Sequence, residues 1–366
     1  MAELNELWVD RDSLRKTRIV RREMPDLDDG CVRVAIDMFA VTANNVSYAN
    51  AGDSIGYWNF YPAEDGWGRV PVWGFGDVVQ SRCADISVGE RIRGFLPMAS
   101  HVDLRPGEVS AGQFTDVAGH RQSLPGVYNT YERTSGEPEQ MKGMEVERCL
   151  YFPLFVTSFF LYDYLVDNDF FKAGQILIGS ASSKTGYGLA HLLHEDANVS
   201  QRVVGLTSAG NTGFVEGLGC YDQVVAYGNE AELDSSLPAA YVDMSGDTSL
   251  LVRLHTLFGD GMKESCLVGL THWEAGKVDD LLNGPGDLPG AQPHFFFAPA
   301  QIEKRNAEWG GNIAITRAAE ASARISATLP LEVTWTRGIE DLKTLWIDLL
   351  DNKVAPSTGQ MVSLAV

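Results

Sequence analysis

The chain has 366 residues, enough for about two domains, and its 45% hydrophobic content is ample for two cores. A formal charge of −20 and a pI of about 4.7 argue against nucleic acid or an anionic membrane surface as partner, since both need basic patches. Five cysteines (Cys31, Cys83, Cys149, Cys220, Cys266) are odd in number and scattered without a CxxC pair, so neither a disulfide framework nor a metal cluster is expected.

No apolar run approaches the ~20 residues of a membrane span, and the opening residues, MAELNELWVDRDSLRK, lack the apolar core of a signal peptide. A soluble chain in the reducing cytoplasm is the expectation. From there the chain begins with β-like segments. Residues 31–41 (CVRVAIDMFAV) are rich in branched and aromatic side chains and read as a strand, and the polar 42–53 as a turn with a short helix. Residues 57–75 crowd Tyr57, Trp58, Phe60, Tyr61, Trp67, Trp73 and Phe75 into a Gly- and Pro-containing loop. Such rings either wall a pocket for a flat apolar ligand or form the loop's own small core. Residues 88–92 (VGERI) read as a turn into a strand, and 101–147 as long loops with short strands. Residues 151–166 (YFPLFVTSFFLYDYLV) form one buried helix, too short to cross a bilayer.

The stretch around which the rest of the chain is organised is 175–195, QILIGSASSKTGYGLAHLLHE. Ile176, Leu177 and Ile178 make a short buried strand, a turn of small residues succeeds it, and Tyr187, Leu189, Leu192 and Leu193 repeat at helical spacing. Strand, small-residue turn and helix form the first unit of a dinucleotide-binding fold, in which helix N-terminal N–H groups receive a pyrophosphate. Ser182 and Thr185 replace expected glycines. Gly186 remains, and Gly188 keeps the place where a side chain would obstruct helix–strand packing. Further strands are read at 202–207, 223–227, 239–244, 265–270 and 294–297. Six short strands separated by helices or turns are the pattern of a doubly wound parallel sheet. Five of the six run into Gly, Ser, Thr or Ala, which suits a ligand along their carboxyl ends. After 297 the expectation is one long helix over 300–327, a strand at 331–336, an amphipathic helix at 339–350 and a last strand at 360–364.

These features carry a resemblance. SSKTGYG at 182–188, followed by Leu189 and Ala190, is similar in phase to the GASGGVG-type loop of the zinc-independent, quinone oxidoreductase-like branch of the medium-chain dehydrogenase/reductase superfamily. Residues 217–227 (GLGCYDQVVAY) resemble that branch's leucine–glycine turn into a strand ending in Asn-Tyr. Residues 32–52 and 88–92 resemble parts of its GroES-like domain. The whole looks closest to an uncharacterised domain-of-unknown-function subfamily. The resemblance implies an α/β fold: a GroES-like substrate and catalytic domain from 1–150 and 298–366, and a Rossmann domain of six parallel strands from 151–297.

Zinc-dependent members have Gly-His-Glu where this chain has Gly74, Phe75 and Gly76, and Phe75 offers no metal ligand. No metal site is therefore expected. Thr42 stands where relatives often have an Asn near the nicotinamide ribose, and Thr157 matches a threonine near the nicotinamide, although a threonine back-bonded to its own helix fits as well. An acid normally lies about 20 residues beyond the fingerprint to hold the ribose 2′-OH. Here that place falls on Thr207, Ser208 and Ala209. Without a carboxylate, and with Ser208, Asn211, Tyr227 and Lys184 available, NADP(H) is expected rather than NAD(H). The expected cofactor-binding residues are Thr157, Ser180, Ala181, Ser182, Ser183, Lys184, Thr185, Gly186, Ser208, Asn211 and Tyr227. Gly246, Leu270, Thr271, Phe297 and Ala298 are implied as the wall around the nicotinamide, and for Lys184 a solvated surface lysine is the plainer alternative.

The expected activity is NADPH-dependent hydride transfer to a small activated acceptor, a quinone or an α,β-unsaturated carbonyl. The hydroxyls of Tyr48 and Tyr57 and the amide of Asn45 are the candidate catalytic polarisers. The alternative is an NADP(H)-binding sensor or scaffold without turnover. Relatives of this branch pair through sheet edges, and the apolar 294–297 strand near the sixth position makes a homodimer the expected assembly.

Overall fold

The branched and aromatic run after Cys31 becomes the strand Val32–Val41, buried along most of its length. It is the spine of the first of two units into which the chain divides, Met1–Leu150 with Leu331–Val366; the second is Tyr151–Pro330. The computed structural model describes residues 3–137, 139–269, 287–311, 313–329 and 332–364.

In the first unit, one edge of Val32–Val41 pairs antiparallel with Pro71–Ser81, and the other is shared by His101–Leu104 and Thr358–Ser363. The described sheet has nine strands. Beyond Pro71–Ser81 it continues through Arg91–Pro97, Thr130–Arg133, Gln113–Asp116 and Pro106–Gly107, and beyond Thr358–Ser363 it ends on Glu332–Arg337. The 101–147 stretch thus supplies short strands and turns, as its composition suggests. Two glycines permit the central pairing. A Cβ at Gly74 or Gly76 would come within 2.5 Å of the carbonyl oxygens of Met38 and Ala35. Phe75 between them is fully buried, with the guanidinium groups of Arg91 and Arg148 over its ring. A smaller sheet joins Thr17–Glu23, Glu3–Asp10 and Trp67–Gly68.

The second unit carries a six-stranded, all-parallel sheet in the order Gln223–Ala226, Arg202–Thr207, Gln175–Gly179, Ala239–Asp243, Met262–Leu267, His294–Phe295. Gln175–Gly179 is buried at every residue, which is why it reads as an unbroken apolar run. Its neighbours follow it in opposite directions along the sheet, so the strand order reverses beside it. Ligands in open α/β sheets bind outside the carboxyl ends at such a reversal.

The expected single helix over 300–327 is two helices, Ala298–Trp309 and Ile313–Ser326. The break falls at Gly310 and Gly311, both with positive φ. The expected boundary at 298 also shifts, because these helices pack within the second unit. Asp163 on the apolar helix Phe152–Asp167 accepts from Arg305 at 2.6 Å and from Gln301 at 2.8 Å, and Ala314, Ala318 and Leu161 share one core.

Gly188 does not serve the helix–strand contact expected of it. A Cβ there would lie 2.6 Å from the Phe155 ring and from Ser158 Oγ, so it lets the helix Lys184–Glu195 press against Phe152–Asp167. Crowding of this kind costs about 1–3 kcal/mol, set against up to ~1 kcal/mol of helix propensity gained by alanine. Gly188→Ala should therefore lower the urea midpoint. Gly213→Ala, in the helix Thr212–Gly217 with nothing within 4 Å of the added carbon, should raise it. Equal shifts of the same sign would contradict this packing.

Candidate functional site

The turn after Gln175–Gly179 is held by tyrosines that flank the outer strand Gln223–Ala226. Ser180 has φ +54°, a left-handed conformation unusual for serine, and its N–H donates to the Tyr227 hydroxyl at 2.9 Å. Tyr221 donates to the Ala181 carbonyl at 2.9 Å, and the Ala181 N–H reaches Leu206 O. Ser183 caps the following helix, its Oγ accepting from Gly186 N at 3.1 Å. A Cβ on Gly186 would sit 2.8 Å from the Ser180 carbonyl, and one on Gly179 would sit 2.5 Å from Asp243 Oδ1. The chain therefore turns tightly into the N-terminus of the helix Lys184–Glu195, the end of a helix that favours negative charge.

Ser182, which replaces a glycine of the usual pattern, has its own task. Its buried Oγ accepts from Asn211 Nδ2 at 3.2 Å and from Thr207 Oγ1 at 3.4 Å. The loop is thereby tied to the end of the second strand, where Ser208 is exposed at the start of a single turn. Thr207, Ser208 and Ala209 occupy the place of the usual ribose carboxylate. Thr185 offers its carbonyl to Ser158 Oγ at 2.8 Å. Lys184 is half-buried at the first helical position, and desolvation pushes its ammonium down to about 8.

Asp243, not among the expected residues, closes the floor. It is buried at the end of Ala239–Asp243 and accepts from Ser245 N at 2.7 Å, Ser245 Oγ at 2.6 Å and Gly246 N at 3.1 Å. Burial raises its pKa above the ordinary carboxylate value, and the Ser245 bonds oppose the shift. A strand ending in Tyr-Val-Asp shortly before Ser-Gly was the available signal. Thr157 donates its hydroxyl to the Pro153 carbonyl at 3.1 Å, the back-bonded arrangement. Gly246 has φ +70°, Phe297 precedes the helix that Ala298 begins, and Leu270 and Thr271 lie outside the described residues.

The other predicted group belongs to the first unit. Tyr48 on the helix Ala43–Asn50 and Tyr57 on the turn Tyr57–Asn59 pack with tilted rings, 4.6 Å between centroids. Phe60, Trp73, Phe95 and Tyr128 complete the cluster. The aromatic loop thus splits. Tyr57, Phe60 and Trp73 converge here, whereas Trp58 packs against Gly52 and Gly68 and Tyr61 bonds Tyr131 at 2.9 Å. Burial raises the pKa of Tyr48, Tyr57 and Tyr128, which keeps all three hydroxyls protonated at neutral pH.

Asn45 departs from its expected role as a polariser. Its Oδ1 accepts the Thr42 N–H at 2.7 Å and its Nδ2 donates to Pro71 O at 2.8 Å, so it anchors the start of the Tyr48 helix. Among the described residues no group of three or more His, Cys, Asp or Glu side chains converges as a metal-ligand set, and no helix is long and apolar enough to cross a membrane.

A family model described as a protein of unknown function, DUF2855, matches residues 39–355. The chain belongs to the DUF2855 family. No curated protein matches it by sequence. Solved structures similar to it include the YhdH oxidoreductase from Salmonella enterica in complex with NADP, 15% identical with a TM-score of 0.52, covering 99% of this chain and all of that one. CurA from Vibrio vulnificus in complex with NADPH is 11% identical with a TM-score of 0.62 over the whole of both chains. The quinone oxidoreductase from Coxiella burnetii is 12% identical with a TM-score of 0.54, also over both whole chains. The fold is that of the medium-chain dehydrogenase/reductases, a GroES-like β-rich domain with a Rossmann domain.

The DUF2855 chain's Asn45 gives a direct check on its structural role. Asn45→Ala should cost about 1–3 kcal/mol of stability, the usual range when buried partners lose their hydrogen bonds, read by chemical denaturation. A variant as stable as the parent would return the amide to the list of catalytic candidates.

Proposed function

We propose that this protein binds NADP(H) and transfers hydride, without zinc, to a small activated acceptor, a quinone or an α,β-unsaturated carbonyl. The observation that carries the reading is the turn 180–186. It is held open for an anion by Gly186 and the Ser183 cap, with a half-buried Lys184 beside it and no acid at the end of Arg202–Thr207. A 2′-phosphate meets no carboxylate there, and Ser208 and Asn211 can donate to it. The nucleotide named in the structures of YhdH and CurA is of the same kind. When bound, the nicotinamide supplies the hydride. The protein holds the phosphates through residues 180–186, with Tyr227 fastening the turn. Thr157, Gly246, Phe297 and Ala298 line the nicotinamide in this reading, and Tyr48 and Tyr57 remain the candidate polarisers. A cytoplasmic place of action belongs to the same proposal.

Binding should be measured beside turnover, because binding without NADPH oxidation across a quinone and enone panel would favour a sensor. NADPH at 100 times its Kd should add about 2.7 kcal/mol to the folded state. Lys184→Ala should raise that Kd by about one to two decades, the loss of a charge-assisted contact of roughly 1.5–3 kcal/mol. If the contact is to the 2′-phosphate, NADH binding stays nearly unchanged. The pH dependence has a definite sign. Lys184 titrates at about 8 in the free protein, and a phosphate partner raises it, so the complex holds more protons and affinity falls as pH rises above about 8. An alanine variant that keeps both the affinity and its fall with pH would remove Lys184 from the site.

A homodimer belongs to the same proposal. His294–Phe295 is the outermost strand of the described parallel sheet, and an uncovered apolar edge invites pairing with a second copy. Sedimentation at micromolar concentration should give twice the 40.0 kDa chain mass; a 40.0 kDa species would exclude it.

A further inference from the structure

The sheet edges of the first unit differ in how they are protected. A free edge offers a row of unpaired N–H and C=O groups, and proteins blunt it with short strands, Pro, Lys, other charges or bulges. Pro106–Gly107, at one end of the nine-stranded sheet, is two residues long and begins with Pro. Thr17–Glu23, at one end of the small sheet, carries Arg18, Arg21 and Arg22, held by Glu64, Glu340 and Glu6. Glu332–Arg337, at the other end of the nine-stranded sheet, lacks such devices along its length. It pairs with Thr358–Ser363 over all six residues without a bulge, and its only charges stand at its two ends. It contains no Pro, Gly or Lys, and five of its six residues are exposed. Val333 and Trp335, two residues apart and so on one face, are 37% and 41% exposed.

We propose that this edge docks the same strand of a second copy of the chain, antiparallel about a two-fold axis at Thr334. Residues opposite one another share a face of the sheet, so a two-fold pairing centres on a residue and not between two. Centred on Thr334, it sets Val333 against the copy's Trp335 and Trp335 against the copy's Val333. That is an aromatic–β-branched pair on each side of the axis, a favourable cross-strand combination. Thr334 meets Thr334, and Glu332 meets Thr336. Centred one residue later, the same pairing would set Val333 against Arg337 and lose both apolar pairs. Charge selects the direction. Antiparallel strands bring Glu332 toward the Arg337 end of the copy, whereas parallel strands would align like charges. The edge is neutral in sum, so two chains of formal charge −20 can meet here without opposing like charge. Six residues a side fall short of the ~1,000 Å² of a stable interface. The contact is therefore weak and forms at higher concentration than the His294–Phe295 pairing, on which it does not depend.

Sedimentation velocity of the full chain from ~10 μM to ~500 μM reads the association. The sedimentation coefficient should rise across that range for the parent and stay level for Trp335→Lys. The substitution is at an exposed position, and circular dichroism checks its folding. Cross-linking reads the register, in a Cys83→Ser background because the other four cysteines are buried. Under mild oxidation, Thr334→Cys should give a linked species of twice the 40.0 kDa chain mass. Thr336→Cys, which would face Glu332 of the copy, should give little. A parent whose sedimentation is independent of concentration would overturn the proposal. So would a Trp335→Lys protein that rises as the parent does, or equal cross-linking at positions 334 and 336.

Discussion

The second unit depends on a close approach of backbone to backbone. Within a few residues the chain must leave a buried strand, turn, and begin a helix whose first turn almost touches the carbonyl it has just left. Only a missing side chain at position 186 allows this, since a Cβ there would sit 2.8 Å from Ser180 O. The strain falls on Ser180, which takes a left-handed conformation at a cost of order 1–3 kcal/mol. Tyr227, Tyr221 and Leu206 over-determine the turn and offset that cost. The turn is thus pre-organised by hydroxyl and carbonyl groups, with the buried Asp243 carboxylate beside Gly179.

Much of the fold was legible because its strands and helices are short and strongly patterned. The buried strand Gln175–Gly179 reads as a continuous apolar run, and the parallel, doubly wound sheet follows from the alternation of strands with helices. The misreadings have physical causes. Polar residues on Ala298–Trp309 and Ile313–Ser326 look like the surface of one long helix, because hydropathy does not register the positive φ of Gly310 and Gly311. The domain boundary was misplaced because Asp163, in an otherwise apolar helix, is the partner that holds Arg305. Of the site, the loop and the missing ribose acid were readable from spacing. Asp243 and Tyr128 were not, since each becomes significant only through partners distant in sequence. Asn45 was misjudged for the opposite reason, because its two bonds lie within its own turn and against Pro71.

Serine at 182 shows how a departure from a motif can be an exchange. A glycine there would leave Asn211 and Thr207 without the Ser182 oxygen that now receives both. The serine trades some freedom of the loop for a bond to the next strand, in the region where a 2′-phosphate would lie. The aromatic cluster makes a similar exchange. Its rings supply the apolar area of a small core, and its hydroxyls, paired with one another, meet the requirement that buried polar groups find partners.

The first unit is discontinuous, and this bears on how the chain is built. Thr358–Ser363 completes the edge of Val32–Val41, and Trp346 donates to the Leu14 carbonyl across 332 residues. Contacts so far apart in sequence carry a large closure entropy and form late. The Tyr151–Pro330 unit, by contrast, is one uninterrupted segment. During synthesis it can assemble while Val32–Val41 still waits for its partner strand. In that interval the unpaired edge at Phe39, Ala40 and Val41 is the surface most exposed to a chaperone or to a neighbouring nascent chain.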